Sequence, residues 1–222
     1  QHAGSSVNPA RQRGPHAHSI NLDAGNRFAV AADLGLDKVL VYRFDAKKGT
    51  LTANDPPERQ PPDDNTGPRH ICLRPKGDVA YIVNEQGNTV TAHRVDPTSG
   101  QLEIFQHLST LPNDWTEGGH TAHIEVHRNG KWAYASNRGH DSIACFAIDQ
   151  ETGRVTSLGQ IRTEKTPRSF TIEQRGRFLY AAGQGSGRIA AFRILDDGKL
   201  ARFATYESGP MSWWALAVDT RL

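Results

Sequence analysis

Apolar and polar positions alternate with a period of two through most of this chain, and the same alternation returns four times. Residues 18–45, 69–96, 122–149 and 168–195 superimpose without a gap, each copy 28 residues long, with starts 51, 53 and 46 residues apart. A period of two belongs to strands, whose side chains point to opposite faces in turn, and not to helices. Each copy therefore predicts a short first strand around Ile20, Ile71, Ile124 or Phe170, then a turn at Gly25, Gly77, Gly130 or Gly176. A second strand follows over 28–32, 79–83, 132–136 or 178–182, and a third over 38–44, 89–95, 142–148 or 188–194. Beyond each copy, Gly49-Thr50-Leu51, Gly100-Gln101-Leu102, Gly153-Arg154-Val155 and Gly198-Lys199-Leu200 open a fourth strand. Glycine supplies the positive φ such turns need, and β-branched and aromatic residues fill the strands between them.

Four short antiparallel strands returning about every fifty residues describe a blade of an all-β propeller. A β-sandwich gives no reason for the same turns to recur at the same positions, and no connection holds the amphipathic helix of an α/β fold. The chain is expected to form a single β-propeller domain over 1–222, with four complete blades built on the repeat cores and a partial final blade at 209–218. Residues 1–17 are expected to supply the outer strand and connection of a unit already under way. Pro56-Pro57 and Pro61-Pro62, followed by Asp63-Asp64, predict a long exposed rim loop. Four units with two loose ends fit either a small closed ring or the last part of a larger one.

Composition narrows the function classes. Lys plus Arg number 26 and Asp plus Glu 24, a net charge of +2, with the signs interspersed. No charged tail asks for nucleic acid, and no apolar run approaches the roughly 20 residues that cross a bilayer, so neither nucleic acid nor membrane is an expected partner. Cys72 and Cys145 both stand in strand patterns and are expected as buried thiols. Two cysteines exclude a disulfide-rich scaffold and favour a cytoplasmic location. The chain opens on Gln1 and residues 1–17 lack the apolar stretch of a signal peptide, so it is expected to begin within a protein.

Candidate chemistry lies where the copies disagree. The first repeat position reads His18, Arg69, Ala122, Arg168 and the second Ser19, His70, His123, Ser169; both stand at the start of the innermost strand. The sixteenth and seventeenth read Asp33-Leu34, Asn84-Glu85, Asn137-Arg138 and Gly183-Gln184, at the end of the second strand. In antiparallel neighbours these ends share one edge, so all are expected around the central opening on one face. Convergent guanidiniums from Arg69, Arg138 and Arg168 suit a carboxylate or phosphate, and His18, His70, His123 and Glu85 supply acid and base groups. The imidazoles of His16, His18, His120, His123 and His127 complete no recognisable zinc pattern, so no metal or other cofactor is expected. No G-x-S-x-G elbow is present, and the glycine-rich stretch 183–187 joins two strands instead of opening a helix, which argues against a phosphate cradle. Trp213-Trp214 is expected to pack on a neighbouring blade.

Gly14-Pro15-His16-Ala17-His18-Ser19, Gly67-Pro68-Arg69-His70, Val83-Asn84-Glu85, Ser136-Asn137-Arg138-Gly139 and Thr166-Pro167-Arg168-Ser169-Phe170 together resemble the motifs of the lactonase family of seven-bladed propellers. That family includes propeller-type 6-phosphogluconolactonases and fungal carboxymuconate-lactonizing enzymes, and the opening 4–12 is similar to its fungal members. The resemblance implies seven blades, the first two and part of a third lying on sequence not present here, either on the same polypeptide or as a separate fragment. It implies no required metal, and a site in which His18, Glu85 and Arg138 are catalytic and Arg69 binds substrate. His70, His123, Asn137, Arg168 and Gln184 are added to the binding set from their repeat positions. One departure stands at Ala122-His123-Ile124-Glu125, where members commonly read Ala-Glu-Ile-His. The implied function is hydrolysis of an anionic sugar-acid lactone, 6-phosphogluconolactone first. A carboxymuconate cycloisomerase and a propeller that only binds a small carboxylate or a protein are the alternatives.

Overall fold

A computed structural model describes residues 1–218. Among them, sixteen strands and no helix form four antiparallel sheets, each with its strands side by side in chain order. The first sheet holds β1 (Ala17–Leu22), β2 (Phe28–Asp33), β3 (Lys38–Asp45) and β4 (Thr50–Arg59). The second holds β5 (Pro68–Leu73), β6 (Val79–Asn84), β7 (Thr89–Val95) and β8 (Leu102–Ser109). The third holds β9 (His120–Val126), β10 (Trp132–Arg138), β11 (Ser142–Ile148) and β12 (Val155–Arg162). The fourth holds β13 (Pro167–Ile172), β14 (Phe178–Gly183), β15 (Arg188–Ile194) and β16 (Leu200–Glu207). These are the β-propeller blades expected from the repeat. They group into two compact units, the first and second blades in Gln1–Ser109 and the third and fourth from Thr110 onward.

Within each unit the two sheets enclose one apolar core. In the first, Phe28, Val30, Val39 and Val41 meet Ile71, Ile82 and Leu102; in the second, Tyr134, Ile143 and Cys145 meet Phe170, Leu179 and Phe192. Each large side chain so buried contributes on the order of 1.5–3 kcal/mol relative to exposure. The second strands are covered on both faces, which is why β2 and β6 read as near-continuous apolar runs, whereas β16 at the edge of its sheet is mostly exposed.

Side chains at the second and fourth repeat positions pin neighbouring blades together. Ser19 Oγ donates to Arg69 O at 2.9 Å and Asn21 Nδ2 to Ile71 O at 2.8 Å. In the other unit, Glu125 Oε2 accepts from Ile172 N at 3.0 Å. A second device sets the loops that deliver β5 and β13. Asp37 and Asp141 occupy equivalent turn positions with φ of 55° and 51°. Asp37 accepts from Asn65 N at 2.6 Å and Gly67 N at 2.7 Å, and Asp141 from Thr166 N at 2.8 Å. Arg69 and Arg168 lie two residues beyond Gly67 and Thr166.

Three expectations are corrected. Residues 1–16 form no strand; they run as a strap over the first two blades, tied down by Gln12 Nε2 on Leu34 O at 3.0 Å and by Asn8 Nδ2 on Asn65 Oδ1 at 3.0 Å and Gln86 Oε1 at 2.8 Å. Pro56 and Pro57 belong to β4 and not to a rim loop, because an edge strand tolerates proline where the ladder breaks. The break is visible as a register shift opposite Val41, between the Leu40–Glu58 and Tyr42–Ala53 pairs. Residues 209–218 form no strand, since among the described residues no further sheet offers them a ladder. They lie instead along β13, where Ala215 N donates to Ser169 Oγ at 3.0 Å.

Candidate functional site

The first repeat position owes its special character to a β-bulge that recurs in all four blades. In β1 the register passes from Ala17–Asp33 to Ser19–Ala32, leaving His18 as the extra residue. Arg69 is skipped in the same way between Pro68–Asn84 and His70–Val83, and Arg168 between Pro167–Gly183 and Ser169–Ala182. In β9 the irregularity falls between Thr121 and Ile124, at Ala122-His123. A bulged residue drops out of the alternation and its side chain is re-aimed, which is why bulges collect beside active sites.

In the first unit the bulge turns Arg69 onto Glu85. Arg69 Nε donates to Glu85 Oε2 at 2.8 Å and Arg11 Nη2 to Glu85 Oε1 at 2.7 Å. Glu85 and Arg69 side chains are 2% and 4% exposed, whereas that of Arg11 is 41% exposed. Arg69 Nη1 also donates to His70 Nε2 at 3.0 Å, which leaves the imidazole proton on Nδ1. A buried carboxylate persists only when ionic hydrogen bonds replace its hydration, and two guanidiniums do so here with one positive charge to spare. Glu85 N donates to Gly67 O at 2.7 Å, so the loop delivering Arg69 also fixes Glu85.

His18 is the bulged residue of β1, whose next residue, Ser19, bonds the backbone of Arg69. It is half-buried in a groove of about 520 Å³ shared with His2, Ile20, Tyr42 and Leu51, whose walls include neither Arg69 nor Glu85. There His2 bridges Asp33 Oδ2 at 2.5 Å and Tyr42 Oη at 2.6 Å, and burial, then the Asp33 charge, holds the Tyr42 hydroxyl above its usual pKa.

In the second unit the expected residues are distributed over different tasks. Asn137 is fully buried and its amide is spent: Nδ2 donates to Thr110 O at 2.9 Å and Ser142 Oγ at 3.3 Å, and Oδ1 accepts from the hydroxyls of Thr110 at 2.7 Å and Thr121 at 3.1 Å. Four bonds exhaust what an amide can make; the substrate-binding expectation for Asn137 is corrected to a fixed staple. His123 is buried edge-on between Phe170 and Trp214, ring centroids 4.9 and 5.2 Å away, and its Nε2 donates to Glu125 Oε1 at 3.1 Å. Arg138 reaches the carbonyls of His120 at 3.3 Å and Thr121 at 3.4 Å. Arg168 lies 5.3 Å from the Trp213 ring centroid, a cation–π contact. Gln184 borders an open groove with Gly185, Ser186 and Glu207. The amides of 184–187 donate to Thr166, Lys165 and Gly183 carbonyls, which leaves no cradle for phosphate.

Both ring nitrogens of His127 are engaged, Nε2 with Gly176 O at 2.7 Å and Nδ1 with Asn129 N at 3.2 Å. Among the described residues, no three His, Cys, Asp or Glu side chains are grouped to hold a metal ion. Neither Cys72 nor Cys145 is in a disulfide; Cys72 is half-buried, and burial pushes the Cys145 thiol up to about 12. No helix among these residues is long and apolar enough to cross a membrane.

Arg11, paired with Glu85, is a side chain of the candidate site that repeat comparison missed. It precedes the first copy and so has no equivalent positions to disagree with. The bulges were likewise invisible, because a skipped residue leaves the gapless repeat unchanged.

Known proteins carry the same architecture. A 6-phosphogluconolactonase of Bacillus subtilis is 34% identical over 202 residues, covering 90% of this chain and 56% of that protein. A 6-phosphogluconolactonase of Sodalis glossinidius is 33% identical over 200 residues, 90% of this chain and 60% of that protein. This chain thus spans little more than half of these relatives. The periplasmic gluconolactonase PpgL of Pseudomonas aeruginosa superimposes with a TM-score of 0.87 at 26% identity, covering 95% of this chain and 60% of that one. The family described as "Lactonase, 7-bladed beta-propeller" matches residues 1–216, and the chain belongs to it.

Proposed function

We propose that the whole protein to which these residues belong hydrolyses an anionic sugar-acid lactone, 6-phosphogluconolactone in the first instance. The observation that carries this reading is the buried Arg69–Glu85 pair with Arg11 on the second carboxylate oxygen. The relatives named as 6-phosphogluconolactonases support it, across a chain that spans 56% of the Bacillus protein. In this reading residues 1–222 are one stretch of a single seven-bladed propeller domain, with further blades supplied by sequence outside them.

Arg69 stabilises negative charge as it develops on the attacked ester, the task of an oxyanion site. Glu85 takes a proton from water as the water oxygen bonds to the lactone carbonyl carbon. That proton passes to the ring oxygen as the ester C–O bond breaks, so the net change is addition of one water. His18 is assigned to proton handling and Arg138 to developing charge, the catalytic roles that the resemblance implies, and Arg168 and His123 to substrate binding from their repeat positions. A cytoplasmic location belongs to the same reading and is checked by cell fractionation.

The test is acid release from 6-phosphogluconolactone by the purified full-length protein, read in a pH-stat against spontaneous ring opening. An acceleration is expected, and its loss in Glu85→Gln with the fold intact. A wild-type protein that leaves the spontaneous rate unchanged overturns the reading. Interconversion of a carboxymuconate and its lactone in place of hydrolysis moves it to a cycloisomerase.

A further inference from the structure

We infer that Trp213 and Arg168 form an anion clamp in the second unit, in which the indole holds the guanidinium over its ring and the guanidinium takes the phosphate of a sugar-acid phosphate. The class of ligand rests on the lactonase reading above; the clamp itself rests on how the two side chains are held. Arg168 is the bulged residue of β13, so its side chain leaves the alternation that buries Ser169 and Phe170, and it is half-buried. Among the described residues no oxygen accepts from its guanidinium and no carboxylate pairs with it; its contact is with Trp213, over whose ring its Cζ lies. A ring face attracts a cation through its quadrupole and is not a hydrogen-bond acceptor of the ordinary kind. The N–H donors of a planar fork that matches phosphate oxygens two at a time are thus left for a ligand.

Trp213 is held as firmly as the arginine. Residues 209–218 form no strand, yet the chain is fastened on both sides of the indole. Before it, Ser212 Oγ donates to Gly209 O at 3.0 Å; after it, the Trp214 ring meets His123 edge-on and Ala215 N donates to Ser169 Oγ at 3.0 Å. Ser169 follows Arg168 directly, so one hydroxyl ties the segment carrying the indole to the strand carrying the guanidinium. Trp213 is nevertheless 54% exposed and Trp214 59%. Apolar rings kept in water beside a cation without an acceptor have the make-up of a small-molecule site, a flat face for C–H bonds and a fork for the anion. The indole restricts the rotamers of Arg168 before the ligand arrives, which lowers the entropy that binding would otherwise cost. Trp213 is in this sense a positioning residue that acts through Arg168.

The experiment measures binding of 6-phosphogluconate and of gluconate by calorimetry to the full-length protein, wild type and with Trp213→Leu, Trp213→Phe, Arg168→Gln, and Trp213→Leu combined with Arg168→Gln. Trp213→Leu is expected to weaken 6-phosphogluconate about threefold to thirtyfold, the range of a cation–π contact. Trp213→Phe is expected to recover most of that loss, and gluconate binding is expected to be the same in wild type and Trp213→Leu. In turnover of 6-phosphogluconolactone the same variant is expected to raise KM and leave kcat unchanged. In the Arg168→Gln background, Trp213→Leu is expected to have no further effect. Equal binding of 6-phosphogluconate by wild type and Trp213→Leu, a loss that Trp213→Phe does not recover, a loss that persists without Arg168, or a loss shared equally by gluconate overturns the inference. A protein that opens no lactone but binds 6-phosphogluconate through both residues leaves the clamp standing and removes the lactonase reading alone. Far-UV circular dichroism of each variant keeps loss of fold separate from loss of recognition.

Discussion

His93 shows how much a single side chain in this fold is shaped by its surroundings. It sits on β7 with its Nε2 on Thr91 Oγ1 at 3.0 Å, its Nδ1 without a partner, and burial holds its pKa down to about 3. The folded value lies below the roughly 6.5 of an unfolded histidine. As pH falls below that point the unfolded chain takes up a proton that the folded one refuses, and stability declines by up to about 1.4 kcal/mol per pH unit. The decline levels off near the folded value. Urea denaturation between pH 6.5 and 4 is therefore expected to show a steeper loss for wild type than for His93→Gln; parallel curves would show that His93 has no such role. The repeat made His70, His123 and the site arginines legible as departures at matched positions. It did not reveal partners: Asn137 and Glu85 stand at neighbouring repeat positions, yet one is a spent amide and the other a carboxylate between two guanidiniums. Which of the two a position becomes depends on loop residues such as Thr110 and Arg11 that lie outside the repeat.

At the scale of elements, the alternation and the glycine turns carried nearly all of the strand order. β2, β6, β10 and β14 begin at the expected residues, because apolar strands bounded by turn glycines admit no other register that buries them. What stayed hidden is where the ladder is broken on purpose, as in β4 and at the start of each first strand. The glycine in the third turn also does more than permit a bend. Gly100 has φ of 72°, and a Cβ there would lie 2.3 Å from the Phe28 ring of the preceding blade; Gly198 repeats the arrangement against Trp132. Gly100→Ala is expected to destabilise the first unit by about 2–4 kcal/mol, through strain at positive φ and the displaced ring. Chemical denaturation measures this, and a change within 0.5 kcal/mol, roughly the scatter of ordinary surface substitutions, would refute it.

For the molecule as a whole, the tryptophans offer a direct reading. Trp115, Trp132, Trp213 and Trp214 all lie in the second unit, so tryptophan fluorescence reports on that unit alone while far-UV circular dichroism reports on strands of both. A single propeller domain is expected to lose both signals at one denaturant concentration. Two separated transitions would show that the units unfold as independent domains. The family was legible because its motifs fall on the bulges and loops that place side chains; the two-unit grouping was not, because all four copies carry the same core pattern.

Those bulges have a consequence for how such a protein changes over time. A residue that the ladder skips contributes little to strand pairing, so its replacement leaves the pairing of the two strands intact. His18, Arg69, Ala122 and Arg168 are four such residues, of three different chemistries, on one unvarying frame. They behave as sockets into which side chains are fitted one at a time, and a lineage can exchange its substrate by refilling a socket without rebuilding a blade.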